Sequence, residues 1–287
     1  MHEGQSFTLG QFVVVAVVLG GIAFLLLLIL MPTRSANELM SRPVCMSNLS
    51  SMGKALTIYR GTNNDQWPWI ANVTSDWSSV PTGTNRAKNI GLDPNHPGDR
   101  SITSLMFLLV REGMPAKLFV CPSSSETEDP EVVDANVAED EEPQYCWDFS
   151  SDRNVSYSWQ APIREGSRYV SGLGDEEVEA AIAGDKTPLY DDPHWQPDDV
   201  SGLRGVALQR NLSRNHGGKH VNVLYVGMNV GKSKRPDIGE KRDNIYTASG
   251  NARGGSQSAT SLDISTHLST RDSFLIGPIR GNRGAKE

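Results

Sequence analysis

An α+β fold is predicted for this chain, with a long N-terminal helix that begins in lipid and continues as a stem beneath a water-soluble body. Three observations carry that prediction. Phe12 to Met31 is a run of twenty residues without a charge; at about 1.5 Å per residue, a helix of this length matches the hydrocarbon core of a bilayer. Beyond Pro32, Cys45, Leu49, Met52, Leu56 and Tyr59 recur at spacings of four and three, which puts them on one helical face that something must cover. Val221 to Val230, VNVLYVGMNV, is the clearest strand or hairpin signal of the second half.

The composition suits one folded body on a stem. Of 287 residues, 38% are hydrophobic and 21% charged, which is ordinary for a globular chain. The organisation follows as a leader-like segment 1–11, a transmembrane helix 12–31, an amphipathic stem 32–62, a body 63–247 and a largely flexible C-terminal region 248–287. A net charge of −7 without a Lys/Arg cluster excludes nucleic acid as a partner. Glu126 to Glu142 concentrates the acid and reads as a solvated loop. Met1 to Gln11 lacks the basic residues of a signal peptide, so the apolar run is expected to remain as an anchor. Membrane lipid is its first partner.

In order along the chain, Pro32 and Pro43 are kink or break signals within the stem. Gly53 lets another element come close to the helix, and Gly61 with Asn63 and Asn64 offers a stop. Residues 67–100 read as a long connection laid over the body. Ile102 to Glu112 is a short apolar helix, and Leu118 to Cys121 a strand halted by Pro122. Asn154 to Trp159 alternates as a half-buried strand should. Asp175 to Ala183, DEEVEAAIA, is expected to be a short helix, with acids favourably placed in its first turn. Thr187 to Asp192 reads as a strand or strand end, and Ser213 to His220 as a turn.

Three cysteines, Cys45, Cys121 and Cys146, form no C-x-x-C pair. Cys121 with Cys146 would close a loop around the acidic segment, whereas Cys45 with Cys121 would staple the stem to the body. Spacing does not choose between them, and the first pair is taken forward as the candidate.

Catalytic, cofactor-binding and metal sites are expected to be absent. His216 and His220, with Asp191, Asp192 and His194 upstream, make a metal set on paper, but Gly217 and Gly218 argue for a turn in which the imidazoles bond locally. The acidic pairs, including Asp198-Asp199, lack the spaced loop of an EF-hand, so Ca²⁺ is carried only as an alternative ligand. Trp67, Trp69, Trp77 and Trp195 are weighed as a sugar-stacking face and read instead as closing the core edge. No G-x-S-x-G, H-E-x-x-H or phosphate loop is present.

Phe7-Thr8-Leu9 opening a long apolar helix resembles the start of type IV prepilins and type II secretion pseudopilins. Ser6 stands where that family has Gly before the cleavage point, and Gln11 where it has Glu. The stretch Cys45-Met-Ser-Asn48-Leu49 through Gly53 and Tyr59 to Asn64-Asp65-Gln-Trp67-Pro68 is similar to a C-x-x-N-L…N-D-x-[FW]-P pattern of a bacterial prepilin-like family. Asn215-His216-Gly217-Gly218 with Val221 to Val230 resembles its H-x-G-G…N-V-L-x-x-D-G-x-V hairpin, with Val226 and Asn229 at the acidic and His positions.

The resemblance implies a helix packed on a small antiparallel sheet with long loops. It also implies a structural protein that assembles through its N-terminal helix into a pilus-like or type II secretion-related envelope structure. Its body would lie outside the cytoplasmic membrane, and prepilin peptidase would act between Ser6 and Phe7. The partners would be copies of the chain or other pilin-like subunits, meeting through Ala16, Gly20, Gly21 and Ala23. The alternative is a non-polymerising single-pass envelope protein with a carbohydrate-binding, Ca²⁺-binding or enzymatic ectodomain.

Overall fold

The computed structural model describes residues 9–30, 34–68, 102–129, 148–161, 163–165, 168–171, 173–174, 178–192, 195, 200–239, 242–247 and 273–277. The chain divides into two compact units, Met1–Met40 and Ser41–Glu287.

In the first unit, α1 (Leu9–Leu30) is a helix over most of the run 12–31 expected to span a membrane, without an acidic or basic residue. Every described side chain from Leu9 to Leu25 is exposed, Phe12 at 69% and Val17 at 69% among them. Among the described residues, no helix is long and apolar enough to cross a membrane.

Helix α2 (Arg34–Thr62) continues through Pro43, which therefore does not break it; Pro32 lies outside the described residues. From Ser41 onward α2 belongs to the second unit. There Cys45, Leu49, Met52 and Leu56 are fully buried and Tyr59 nearly so, all in one core cluster. The helix stops where left-handed backbone begins at Asn64 and Asp65. Asn63 Nδ2 donates to the Tyr59 carbonyl at 2.8 Å, satisfying one of the last-turn acceptors.

The core of the second unit is a five-stranded antiparallel sheet in the order β6-β5-β4-β1-β7. Its strands are β1 (Tyr157–Gln160), β4 (Ala181–Asp185), β5 (Val221–Tyr225), β6 (Val230–Ser233) and β7 (Leu275–Ile276). A separate hairpin pairs β2 (Ile163–Glu165) with β3 (Arg168–Val170). The apolar helix α3 (Ile102–Arg111), buried from Ile102 to Leu109, joins the stem in one cluster with Tyr157, Trp159, Ile182 and Leu224. A second cluster joins Val221, Val223 and Leu275 to Leu189, Trp195, Leu212, Ile245 and Tyr246. Period-two alternation along β5 thus sends Leu224 to the first cluster and its valines to the second. A short helix, α4 (Gly205–Gln209), precedes the turn into β5.

Gly53 meets this sheet where the sequence expects a close approach. A Cβ there would lie 3.1 Å from Leu224 Cδ1. The hairpin turn uses Met228, not Gly227, for its left-handed residue. Gly227 is needed for space, since a Cβ would lie 3.1 Å from Asn229 Oδ1.

Several expectations are corrected. The described part of DEEVEAAIA is not helical: Ala181 to Asp185 form the central strand, with Val178 to Ala180 turning into it, and residues 175–177 lie outside the described residues. Pairing on both edges outweighs the local helix preference of this alanine-rich run, and its small residues suit the crowded centre. At Gly184 a Cβ would sit 3.0 Å from both the Asn222 carbonyl and Leu275 Cδ1.

Leu118 to Cys121 is not a strand. Ala116–Phe119 is a 3-10 turn, and the backbone that follows is bound by side chains: Asn48 reaches the Val120 carbonyl, and Ser156 Oγ accepts from the Cys121 N–H. The strand expected to be half-buried at 154–159 lies at Tyr157–Gln160 and is buried on both faces. Thr187 to Asp192 holds a 3-10 turn, Pro188–Tyr190.

The acidic run is not wholly solvated. Glu126 and Asp129 are buried, the first paired with Lys186 and the second accepting from the Ser150 N–H and hydroxyl, both at 2.7 Å. The rest of that run and the flexible region expected at 248–261 lie outside the described residues, as do Trp69 and Trp77. Trp67 and Trp195 are both buried rather than displayed.

Candidate functional site

Two places concentrate features beyond plain core packing. The first is α1. Ala16, Gly20, Gly21 and Ala23 lie along it, all exposed, and nothing comes within 4 Å of a Cβ placed on Gly20 or Gly21. Ser6 and Phe7 lie outside the described residues, so their expected role in processing acquires no geometry.

The second is a buried polar cluster on the stem side of the sheet. It is fastened by a disulfide between Cys45 and Cys121, with Cα atoms 5.3 Å apart. The candidate pair Cys121–Cys146 is thereby corrected, since Cys121 is already bonded to the stem; Cys146 lies outside the described residues. One helical turn places Asn48 beside Cys45, and its Nδ2 donates to the Val120 carbonyl at 3.0 Å and to Tyr157 Oη at 3.4 Å. The C-x-x-N spacing therefore grips two neighbouring residues, one by a covalent bond and one by a hydrogen bond.

Asp185, at the end of β4, is the acceptor around which the cluster forms. Its Oδ2 receives the Asn222 N–H at 2.7 Å and Asn222 Nδ2 at 3.1 Å, while Oδ1 receives Asn215 Nδ2 at 3.2 Å. Asn222 Nδ2 also lies 2.9 Å from His216 Nε2, which is itself 3.4 Å from Asp185 Oδ2. His216 Nε2 is 3.8 Å from Cys121 Sγ, and its ring stacks on His220 at 4.2 Å and 19°.

The turn carrying these histidines is shaped by left-handed Gly217 and Gly218. A side chain at Gly218 would meet the Gln209 carbonyl at 2.9 Å. His216 Nε2 thus faces a side-chain network, and His220 joins it by ring stacking, its Nε2 buried without a hydrogen-bond partner.

Burial sets the electrostatics. Desolvation, reinforced by His216, lowers the His220 pKa to about 4. Burial first and the Asp185 charge second push the Tyr157 hydroxyl well above its usual range, and the same causes act on Tyr246. Tyr246 Oη donates to the Asp185 carbonyl at 2.9 Å. Cys45, Cys121 and His216 bring three ligand-type atoms within 4.8 Å. With both sulfurs joined to each other, neither is a thiolate that could hold a metal. Of the paper metal set, Asp191 pairs with Lys186 at 3.4 Å, and His194 lies outside the described residues.

The sequence marked Asn48 and Asn215 only through the family resemblance, offered His216 also as a metal ligand on paper, and gave no notice of Asp185. The signal was the isolated Asp ending an otherwise small and apolar strand. No family model matches the chain, and no curated protein or solved structure does.

Proposed function

We propose that this chain is a membrane-anchored, pilin-like structural protein that assembles through its N-terminal helix and displays the α+β body outside the cytoplasmic membrane. The observation that carries the reading is α1: 22 residues, apolar on every side, with its described side chains exposed. An unpartnered apolar surface of this kind calls for lipid, for other helices, or for each in turn. The stem stripe, the C-x-x-N grip and the late hairpin support the same reading, because they fall where the prepilin-like pattern has them. The second reading, a solitary anchored ectodomain, is favoured by Gln11 in place of the family's Glu.

Crosslinking of the full-length protein in membranes separates the two. Gly20→Leu keeps α1 apolar and is expected to leave insertion intact while reducing crosslinks between copies. Equal crosslinking in mutant and wild type, or none in either, overturns assembly and leaves the solitary ectodomain. Intact mass of the extracted protein tests processing, with loss of residues 1–6 and N-methylation of Phe7 expected.

A further inference from the structure

Lys186 follows the central strand and is 2% exposed. Its Nζ donates to Glu126 Oε1 at 2.6 Å, lies 3.4 Å from Asp191 Oδ1 and sits 3.9 Å over the Tyr190 ring. Two carboxylates thus share one ammonium in an enclosed place. Glu126 Oε2 and Asp191 Oδ2 are both buried without a hydrogen-bond partner. Surplus charge with unbonded oxygens is costly away from water.

We infer that Lys186 and Asp191 become joined by an amide bond, with Glu126 carrying the protons. The two contacts differ in kind. The short one to Glu126 is a hydrogen bond, the geometry of proton transfer. The one to Asp191 is an ion pair, with Nζ 3.4 Å from Oδ1, which sets the nitrogen beside the carboxyl group whose carbon it would attack. The 3-10 turn Pro188–Tyr190 brings Asp191 back to Lys186, held by the Asp191 N–H bond to the Pro188 carbonyl at 3.1 Å.

The step balances without a co-reactant. Glu126 takes a proton from the ammonium, and the freed amine attacks Asp191 Cγ. The new N–C bond forms as a C–O bond breaks. The departing oxygen leaves as water with two protons from Nζ, delivered through Glu126. The Asp191 side chain is 22% exposed, which gives the water an exit. One positive and one negative charge vanish, and Glu126 remains.

Trypsin digestion of the reduced full-length protein tests this directly. An acylated Lys186 resists cleavage, so residues 169–204 are expected as one peptide, lighter by one water, with fragment ions placing the link between Lys186 and Asp191. Lys186→Arg is expected to restore cleavage and full mass. Glu126→Gln, in protein whose circular dichroism matches wild type, is expected to form the link about 100-fold more slowly. Quantitative cleavage after Lys186 in the wild type overturns the proposal, whether or not the peptide has lost water. A link to the peptide containing Glu126 overturns the assignment of Asp191.

Discussion

Asn48 of the stem donates to the carbonyl of Val120 at 3.0 Å, and the residue after Val120 is the one that Cys45 binds covalently. Asn48→Ala leaves that carbonyl without its donor at a buried junction. A loss of about 1–3 kcal/mol is expected, read from urea unfolding of the full-length protein; an unchanged midpoint would show that the bond contributes nothing.

The disulfide spans 76 residues of sequence. Chain-entropy arguments assign a loop of that size about 4 kcal/mol. Cys45→Ser and Cys121→Ser should each lower stability by this order and make it insensitive to reductant, whereas Cys146→Ser should keep the wild-type reductant response.

Leu49→Ala and Leu56→Ala each empty a fully buried position of the stem. Each is expected to cost about 2–5 kcal/mol in thermal or chemical melts. Ile58→Ala, on the exposed side of the same helix, serves as the control and should be close to neutral.

Gly53 gives a graded test. In Gly53→Ala the Cβ meets only the movable ends of the Leu224 and Met228 side chains, and the gain of about 1 kcal/mol in helix propensity offsets the crowding. Gly53→Leu has nowhere to put its side chain and should cost about 1–3 kcal/mol. Equal stability of both variants would contradict the close approach of α2 to β5.

His220 supplies a pH dependence. Its folded pKa of about 4 lies below the ordinary 6.5, so between these values the unfolded chain binds more protons and stability rises with pH. The contribution is complete above pH 6.5 and is lost as pH falls to 4. His220→Gln should flatten the melting-temperature profile in that window; a profile identical to wild type would rule the histidine out.

The stem was legible in the sequence because a single period, with Cys45, Leu49, Met52, Leu56 and Tyr59 in step, reports one buried face whatever covers it. The hairpin was legible for a similar reason, since Val221 to Val230 alternates around a turn. The central strand was not: Ala181 to Asp185 is small and weakly patterned, and its identity comes from β1 and β5 on either side. Leu118 to Cys121 misled in the opposite direction, because an apolar run before a proline resembles a strand even when Asn48 and Ser156 take its hydrogen bonds. The polar cluster was half legible. Local spacing marks His216 and His220, but Asp185 becomes their hub only once three distant segments meet.

The covalent tie at Cys45 also fixes how the protein bears tension. A pull along α2 from its N-terminal side reaches Cys45 soon after Ser41, where the second unit begins. At Cys45 the load divides, and the sulfur bridge passes part of it straight to Cys121, bypassing the intervening chain. Beyond Cys121 the Ser156 side chain and the Phe119 carbonyl lead to β1, inside the sheet. The last turns of α2 are thereby relieved of part of the load, while Leu56 and Tyr59 keep their place in the core.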